Sequence, residues 1–218
     1  MYHFLLKFLS ALTHPKRFFR THSIVAFSRL SVKGEGQLNT RRTVIRKSSI
    51  YVEGDNNSVD LQEADIYNST IRVLGTGNTL RIHNAVRVYN TIITIKKAKG
   101  GYIDIAEGTH IGGGTIVCAG DDNFISFGKD CMIAEDVEIW SSDTHVITIE
   151  GKDTANSRPI VIGDHVWLGK GVTVLKGVAI GENAIVGMKS VVTHNIRPGT
   201  LNAGVPAKEL KDGVSWHK

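Results

Sequence analysis

The chain has 218 residues, a length that suits one domain with a small appendage and requires no second enzyme domain. The formal net charge of +5 equals the charge of residues 1–30, which contain five Lys and Arg residues and no Asp or Glu, so the rest of the chain is formally neutral. A neutral body argues against a nucleic-acid-binding protein, in which a basic surface runs through the fold.

Residues 1–30 are predicted to form a basic amphipathic arm. Helical spacing places five apolar side chains on one face, which suits a helix that packs on the rest of the protein or lies on an anionic membrane. The apolar stretch contains Lys7, is far shorter than the roughly 20 residues needed to span a bilayer, and lacks a signal-peptide cleavage site. The five apolar residues are Phe4, Leu5, Phe8, Leu9 and Leu12.

Residues 31–118 repeat loosely. Three glycines of residues 54–120 are each followed, three residues later, by an asparagine and then by alternating apolar residues; the asparagines are Asn57, Asn78 and Asn123, at intervals of 21 and 45 residues. Because asparagine tolerates left-handed backbone angles, these side chains are expected to stack at equivalent corners. The segment is interpreted as irregular coils of a β-solenoid, and the alternative is a separate small β-domain.

Residues 119–200 carry a stronger signal, a branched aliphatic residue at every sixth position. An α-helix repeats every 3.6 residues and a strand every two, so neither explains this register. A chain that turns a corner every six residues, with three sides to a coil, does explain it. The sequence therefore predicts an all-β protein, a parallel β-solenoid. The positions are Ile162, Leu168, Val174, Ile180, Val186 and Val192.

The two cysteines, Cys118 and Cys131, lie among apolar repeats without the CxxC spacing of a metal or redox pair. They are expected to be buried free thiols of a protein in a reducing, cytoplasmic compartment.

Two segments depart from the six-residue period. Residues 146–159 are predicted to form a loop outside the coil, and loops on a rigid scaffold often carry function. Residues 201–218 are predicted to form a C-terminal cap with a short helix near residues 207–210.

Three blocks of the sequence resemble the hexapeptide-repeat acyltransferase family, in particular the O-acetyltransferases of galactosides and of bacterial surface polysaccharides. They are SSDTH at residues 141–145, RPIVIGDHVWLG at residues 158–169, and residues 180–208, which include VGMKSVVT and AGVPAK. The resemblance implies a left-handed parallel β-helix, a homotrimer with each active site between two subunits, and acetyl-CoA as cosubstrate without a metal.

His145 matches the family's catalytic histidine and is the candidate general base. It follows Ile139 by six residues, where the regular coil gives way to the loop. Acetyl transfer to an alcohol requires removal of a proton from a hydroxyl whose pKa is far above neutrality. An imidazole with an ordinary pKa of about 6.5 can accept this proton and return one to the departing thiolate. The alternative is an exposed loop histidine without a role.

Three further residues are candidates for the acceptor site. Asp143 lies two residues before His145, and on a strand such residues project to the same side, so it could orient the imidazole or bind an acceptor hydroxyl. Trp167 resembles a tryptophan that lines the family's cleft, and Trp140 is a further candidate, because an aromatic face suits the apolar side of a sugar ring. The alternatives are a solvated turn aspartate and structural tryptophans.

The resemblance also implies six contacts to CoA. The cationic Lys208 and Lys211 suit its phosphates. Met188 departs from the family's usual alanine or serine, and its bulk would narrow the groove for the pantetheine arm. The six residues are Lys170, Met188, Thr193, His194, Lys208 and Lys211.

Together these features predict an acetyl-CoA-dependent O-acetyltransferase that acts on a carbohydrate, such as a sugar of a bacterial capsule, lipopolysaccharide or exopolysaccharide, in the cytoplasm or at the inner face of the membrane. The alternatives are N-acetylation of an amino sugar or a xenobiotic, O-acetylation of serine, and a β-solenoid that binds a partner without catalysis. A zinc enzyme of the γ-carbonic-anhydrase kind is disfavoured, because no second histidine follows His145 within the next several residues.

Overall fold

The structure is a computed structural model that describes residues 18–217, and these residues wind into eight coils of a parallel β-solenoid. The predicted helical face of the arm, over residues 4–12, lies outside the described residues. Residues 18–30, the rest of that predicted arm, belong to the first coil and its strands instead. The described residues contain no helix, and thus none that could cross a membrane.

Each coil contributes three strands, one to each of three parallel sheets that we name faces A, B and C. In chain order the coils consist of β1 (Phe18–Thr21), β2 (Ile24–Ala26) and β3 (Arg29–Lys33); β4 (Gln37–Arg41), β5 (Val44–Arg46) and β6 (Ser49–Glu53); β7 (Ser58–Gln62), β8 (Asp65–Tyr67) and β9 (Thr70–Thr76); β10 (Thr79–Ile82), β11 (Arg87–Tyr89) and β12 (Thr91–Lys99); β13 (Tyr102–Ile105), β14 (His110–Ile111) and β15 (Gly114–Ala119); β16 (Phe124–Phe127), β17 (Met132–Ile133) and β18 (Val137–Trp140); then, after a hairpin of β19 (Thr148–Ile149) and β20 (Lys152–Asp153), β21 (Ile160–Ile162), β22 (Trp167–Leu168) and β23 (Thr173–Val174); and β24 (Ala179–Ile180), β25 (Ile185–Val186) and β26 (Val191–Val192). The turns between faces are the A/B, B/C and C/A corners.

The C-terminal segment ends the solenoid with strands and not with the predicted helix. Strand β27 (Thr200–Ala203) pairs with β25 on face B, and β28 (Lys208–Asp212) pairs antiparallel with β27. The helix prediction for residues 207–210 was wrong because the last coil leaves an open sheet edge, and a strand that covers this edge satisfies its backbone hydrogen bonds.

Coil length differs between the two halves of the chain. On face A, Leu38 is in register with Val59 and Val59 with Leu80, so each of these coils takes 21 residues. Ile162 is in register with Ile180, which gives 18 residues for the seventh coil. The strands of residues 31–118 thus belong to longer coils and lie in the same three sheets as the strands of the regular coils.

The core is a column of aliphatic side chains that point inward from all three faces. The six residues of the six-residue period are each at most 2% exposed, which confirms that the period marks the inward positions. Cys118 and Cys131 are both buried, as expected, and burial raises the pKa of the Cys118 thiol.

Asparagines stack at the C/A corner, as expected from their spacing. The Asn78 side chain donates to the carbonyls of Leu74 and Ala98 and accepts a hydrogen bond from the backbone N–H of Gly101. Gly101 occupies the asparagine's position in the next coil, which accounts for the interval of 45 residues before Asn123. The left-handed residue is the one before each asparagine, as at Gly77 (φ 67°), and not the asparagine itself.

Candidate active site

The chain leaves the solenoid at the C/A corner of the sixth coil, directly after β18. Three contacts close the base of this excursion. Ser142 bridges to Ser157, the backbone N–H of Asp143 donates to the carbonyl of Asn156 at 2.8 Å, and that of Arg158 donates to the carbonyl of Ser141 at 2.9 Å. His145 is therefore the third residue beyond a fixed anchor on a rigid sheet.

The excursion is a β-hairpin that projects from the corner. Strands β19 and β20 are joined by Glu150 and Gly151, both with positive φ, as in the two-residue turns that suit the twist of a hairpin. The Thr148 hydroxyl donates to the Asp153 carboxylate at 2.7 Å. The predicted loop 146–159 is thus an ordered arm beside His145, and it exposes three apolar side chains: Val146, Ile147 and Ile149.

The imidazole of His145 is exposed, and no side chain in residues 18–217 forms a hydrogen bond or ion pair with it. Both ring nitrogens are therefore available to a substrate. A neutral imidazole in this position can accept a proton from a hydroxyl within hydrogen-bond distance.

The structure shows no hydrogen bond between the Asp143 carboxylate and the imidazole of His145, one of the two roles that the sequence suggested for Asp143. Thr144, between them, has a φ of 63°, so the segment is not extended and the same-side relation of a strand does not hold. The carboxylate instead forms an ion pair with Lys176 of the next coil. Lys176 also donates to the carbonyl of Ala155 at 2.6 Å, so it ties the base of the hairpin to coil 7.

Lys176 is a residue of this corner that is not among the site residues predicted from the sequence. The signal was present, because Lys176 lies two residues after Val174, and Val174 is in register with Ile139 on face C. That register places Lys176 at the corner that Asp143 occupies one coil earlier.

Trp140 is the last residue of β18 and points outward from face C, partly exposed. Its indole N–H donates to the carboxylate of Glu138 at 2.7 Å, which holds the ring on the sheet. Trp140 thus lies on the same side of the solenoid as the corner with His145.

Trp167 lies elsewhere, on face B, with 40% of its surface exposed. Trp216 of the C-terminal segment packs against it at a ring distance of 6.1 Å and stacks on His165 at 4.1 Å. In a three-sided coil, face B is the side opposite the C/A corner. The structure therefore does not bring Trp167 and His145 of one chain together.

The six candidate CoA residues fall into two groups. Thr193 and His194 lie at the C/A corner of the last coil and hydrogen bond each other at 2.8 Å. The other four lie toward the B/C corner and the cap: Lys170, Met188, Lys208 and Lys211.

Within the second group, charge distinguishes the lysines. The ammonium of Lys170 forms ion pairs with Glu135 at 2.8 Å and Asp136 at 3.4 Å, and these carboxylates raise its pKa. Lys208 and Lys211 are exposed on β28, and neither pairs with a carboxylate of residues 18–217. The Met188 side chain is 65% exposed.

Within the part of the chain that the structure describes, no three His, Cys, Asp or Glu side chains come together as a candidate metal site.

Several known proteins resemble this chain in sequence and in structure. Residues 159–194 match the family model described as bacterial transferase hexapeptide (six repeats). The chain is 36% identical over 133 residues to a polysialic acid O-acetyltransferase of Neisseria meningitidis and 32% identical over 139 residues to a polysialic acid O-acetyltransferase of Escherichia coli O1:K1. These matches cover 60% and 63% of this chain, but the chain spans only 60% and 44% of the two relatives' lengths.

The structural likeness is more extensive. The crystal structure of the polysialic acid O-acetyltransferase OatWY is similar with a TM-score of 0.80 and 32% sequence identity. The similarity covers 87% of this chain and 91% of that chain, so it includes the irregular N-terminal coils as well as the regular ones.

Proposed function

The chain belongs to the hexapeptide-repeat acyltransferase family, with its left-handed parallel β-helix, and from that premise we propose that it transfers an acetyl group from acetyl-CoA to a hydroxyl of a carbohydrate. The relatives named above are O-acetyltransferases of polysialic acid, and we propose an acceptor of the same general class, a sugar of a bacterial surface glycan. The observation that carries the proposal is the exposed, unpartnered imidazole of His145 at the base of an ordered hairpin.

In the proposed reaction, one imidazole nitrogen of His145 accepts the proton of the acceptor hydroxyl as its oxygen attacks the thioester carbonyl. A carbon–oxygen bond forms, the carbon–sulfur bond breaks, and the imidazolium returns the proton to the departing thiolate sulfur. Atoms and charge balance without a further reactant. Positioned acid–base catalysis of this kind accelerates reactions by about 10²–10⁴-fold.

The Asp143–Lys176 ion pair gives this step a fixed geometry. It links the segment before His145 to coil 7, and the backbone contacts of residues 141–143 with residues 156–158 hold the same segment to the end of the hairpin. A base held on a rigid element loses little entropy when the acceptor binds, because its position is set before binding.

The same geometry supports a homotrimer. Trp167 on face B and His145 at the opposite corner can serve one site only if two chains meet, with face B of one chain facing the C/A corner of the next. Such a contact is heterologous, and a threefold rotation closes it into a ring. We propose that each active site takes His145 from one subunit and Trp167 from its neighbour.

For acetyl-CoA, Lys208 and Lys211 are proposed as phosphate partners, because both are exposed and free of carboxylates among the described residues. Lys170 is already neutralised by Glu135 and Asp136, so its proposed contribution is smaller. Thr193 and His194 share the corner of His145, which suits contact with the thioester end of the cosubstrate.

A screen of acceptors tests the proposal. CoA release from acetyl-CoA is followed with a panel of bacterial surface oligosaccharides, nucleotide sugars and amino sugars, and the product is analysed by mass spectrometry and alkaline hydrolysis, which removes an O-acetyl but not an N-acetyl group. We expect an alkali-labile acetyl group on at least one glycan. Release of CoA with amines alone, or with no acceptor of the panel, would overturn the proposal.

A further inference from the structure

Charge is distributed unevenly along the solenoid. Residues 18–100 contain 13 Lys and Arg against six Asp and Glu, a formal charge of +7, whereas residues 101–217 contain nine against 15, a formal charge of −6. The formal neutrality of the body therefore conceals a cationic N-terminal half and an anionic C-terminal half. A charge separation of this size creates a field that a charged ligand feels before contact.

On face C, part of this positive charge forms a compact group. Tyr51 of β6 is in register with Arg72 of β9, and Arg29 of β3 lies in register with Ser49, two residues before Tyr51. Both arginine side chains are exposed. The pKa of the Tyr51 hydroxyl is lowered by a hydrogen bond with Ser49, further by a hydrogen bond with Arg29, and by the positive charges of Arg29 and Arg72.

The two arginines are not neutralised by their neighbours. Neither Arg29 nor Arg72 forms an ion pair with a carboxylate of residues 18–217, in contrast to Arg41 and Arg42, which share Glu63. The nearest acid in register on this face, Glu53, lies opposite Lys33. Unpaired guanidinium groups beside an aromatic hydroxyl suit a carboxylate or phosphate ligand.

A row of residues in register on face C joins the group to the candidate active site. From Arg72 the row continues through Thr94 and Val117, of which Val117 is only 5% exposed, to Trp140, and Lys96 adds a further exposed cation on the way. At about 4.8 Å per coil, Arg72 lies roughly 14 Å from Trp140 along the axis. An extended oligosaccharide can cover that distance.

We propose that face C is an extended acceptor subsite for an acidic glycan, whose anionic groups contact Arg29 and Arg72 while a sugar several units along the chain lies near Trp140 and offers its hydroxyl to His145. This inference rests on the proposed function and narrows its acceptor to chains that carry carboxylate or phosphate groups. The field of the N-terminal half would attract such a chain, and the fixed sheet would align it with the solenoid axis. Neutral or short acceptors would use only the end near Trp140.

An anionic membrane is the main competing ligand for a basic surface. A membrane would respond to the total positive charge of coils 1–4 on whichever face carries it. The chain offers a matched pair of variants that separates the two. Arg29→Ala/Arg72→Ala removes two exposed arginines from face C, and Arg41→Ala/Arg81→Ala removes two exposed arginines from face A of neighbouring coils.

The test measures the affinity of the full chain for oligomers of sialic acid, oligogalacturonate and hyaluronan of graded length, and for neutral maltooligosaccharides of the same lengths. We expect at least one acidic series to bind more tightly with length, and the Arg29→Ala/Arg72→Ala variant to weaken it roughly tenfold, the loss expected for two exposed charge contacts. The Arg41→Ala/Arg81→Ala variant should bind like the wild type, and melting temperatures should show that both variants are folded.

Three results would overturn the inference: acidic series that bind no better than neutral ones, equal loss in the two variants, or binding that is confined to vesicles with anionic lipids. The proposed function would fail in a different way, because its failure means that no glycan of the panel receives an acetyl group. Acetyl transfer to an acidic glycan with unchanged KM in the face C variant would contradict the subsite alone.

Discussion

Asp143 and Lys176 form an ion pair that joins the sixth and seventh coils at the base of the hairpin. Their side chains are only 29% and 20% exposed, and Lys176 also binds the carbonyl of Ala155. Asp143 lies two residues before His145. The ion pair is part of the scaffold that positions the imidazole, and the structure shows no hydrogen bond between Asp143 and the imidazole.

The first prediction concerns this pair. Lys176→Met should lower the free energy of unfolding by roughly 1–3 kcal/mol, because it leaves the Asp143 carboxylate desolvated and unpaired. The double variant Asp143→Leu/Lys176→Met should lose less than the sum of the two single variants, since no charge is then left alone. Urea unfolding at one protein concentration measures all three. Additive losses would show that the two side chains do not interact.

The second prediction concerns the inward positions of the regular coils. Leu168→Ala should destabilise the protein by about 2–5 kcal/mol, because Leu168 is fully buried and its loss leaves a cavity in the column. Val161→Ala is the matched control, on an outward position that is 40% exposed, and should change stability by less than about 0.5 kcal/mol. Thermal and urea unfolding check both. Equal effects would contradict the assignment of the core.

The third prediction concerns the asparagine stack. Asn78→Ala should cost roughly 2–4 kcal/mol, because it orphans the buried carbonyls of Leu74 and Ala98 and the N–H of Gly101. Asn68→Gly removes an exposed hydrogen bond to Asn90, and glycine tolerates the φ of 48° at this position, so this variant should cost far less. Hydrogen exchange of the Gly101 amide provides a local readout: it should accelerate in Asn78→Ala alone, and unchanged protection there would argue against the stack.

The fourth prediction concerns the proposed shared site. Trimers reassembled from equal amounts of His145→Ala and Trp167→Ala chains should regain activity, because about a quarter of the sites then combine a wild-type His145 with a wild-type Trp167 from the neighbouring chain. Each variant alone should be weakly active. If mixing restores nothing while size measurements show mixed trimers, the two residues do not share a site.

The regular coils could be predicted from the sequence because each side of a coil carries an inward aliphatic residue at the same position and ends in a short corner. The six-residue period alone predicts that Leu168 and Val174 point inward, and both are fully buried. The earlier coils take more than 20 residues, as between Val59 and Leu80, and their glycines and asparagines marked the corners without giving the register of each strand.

Less of the candidate site could be predicted, because it depends on contacts between coils. No sequence signal predicts the left-handed backbone of Thr144, which separates Asp143 from His145, because threonine seldom adopts this conformation. The ion pair with Lys176 can be inferred only from the register between β18, before the hairpin, and β23, after it. The final strand, β28, depends on an open sheet edge that local propensity does not describe.

The proposed reaction depends most on His145 as the base. The most direct measurement is kcat for acetyl transfer by His145→Gly, with and without added imidazole, beside His83→Gly as a control on face A that contacts Asp104 and has no proposed part in the reaction. We predict a fall in kcat of about 10²–10⁴-fold for His145→Gly, partial recovery as imidazole is added, and little change in the KM for acetyl-CoA. The control should keep its kcat. A His145→Gly enzyme that turns over at the wild-type rate would contradict the account.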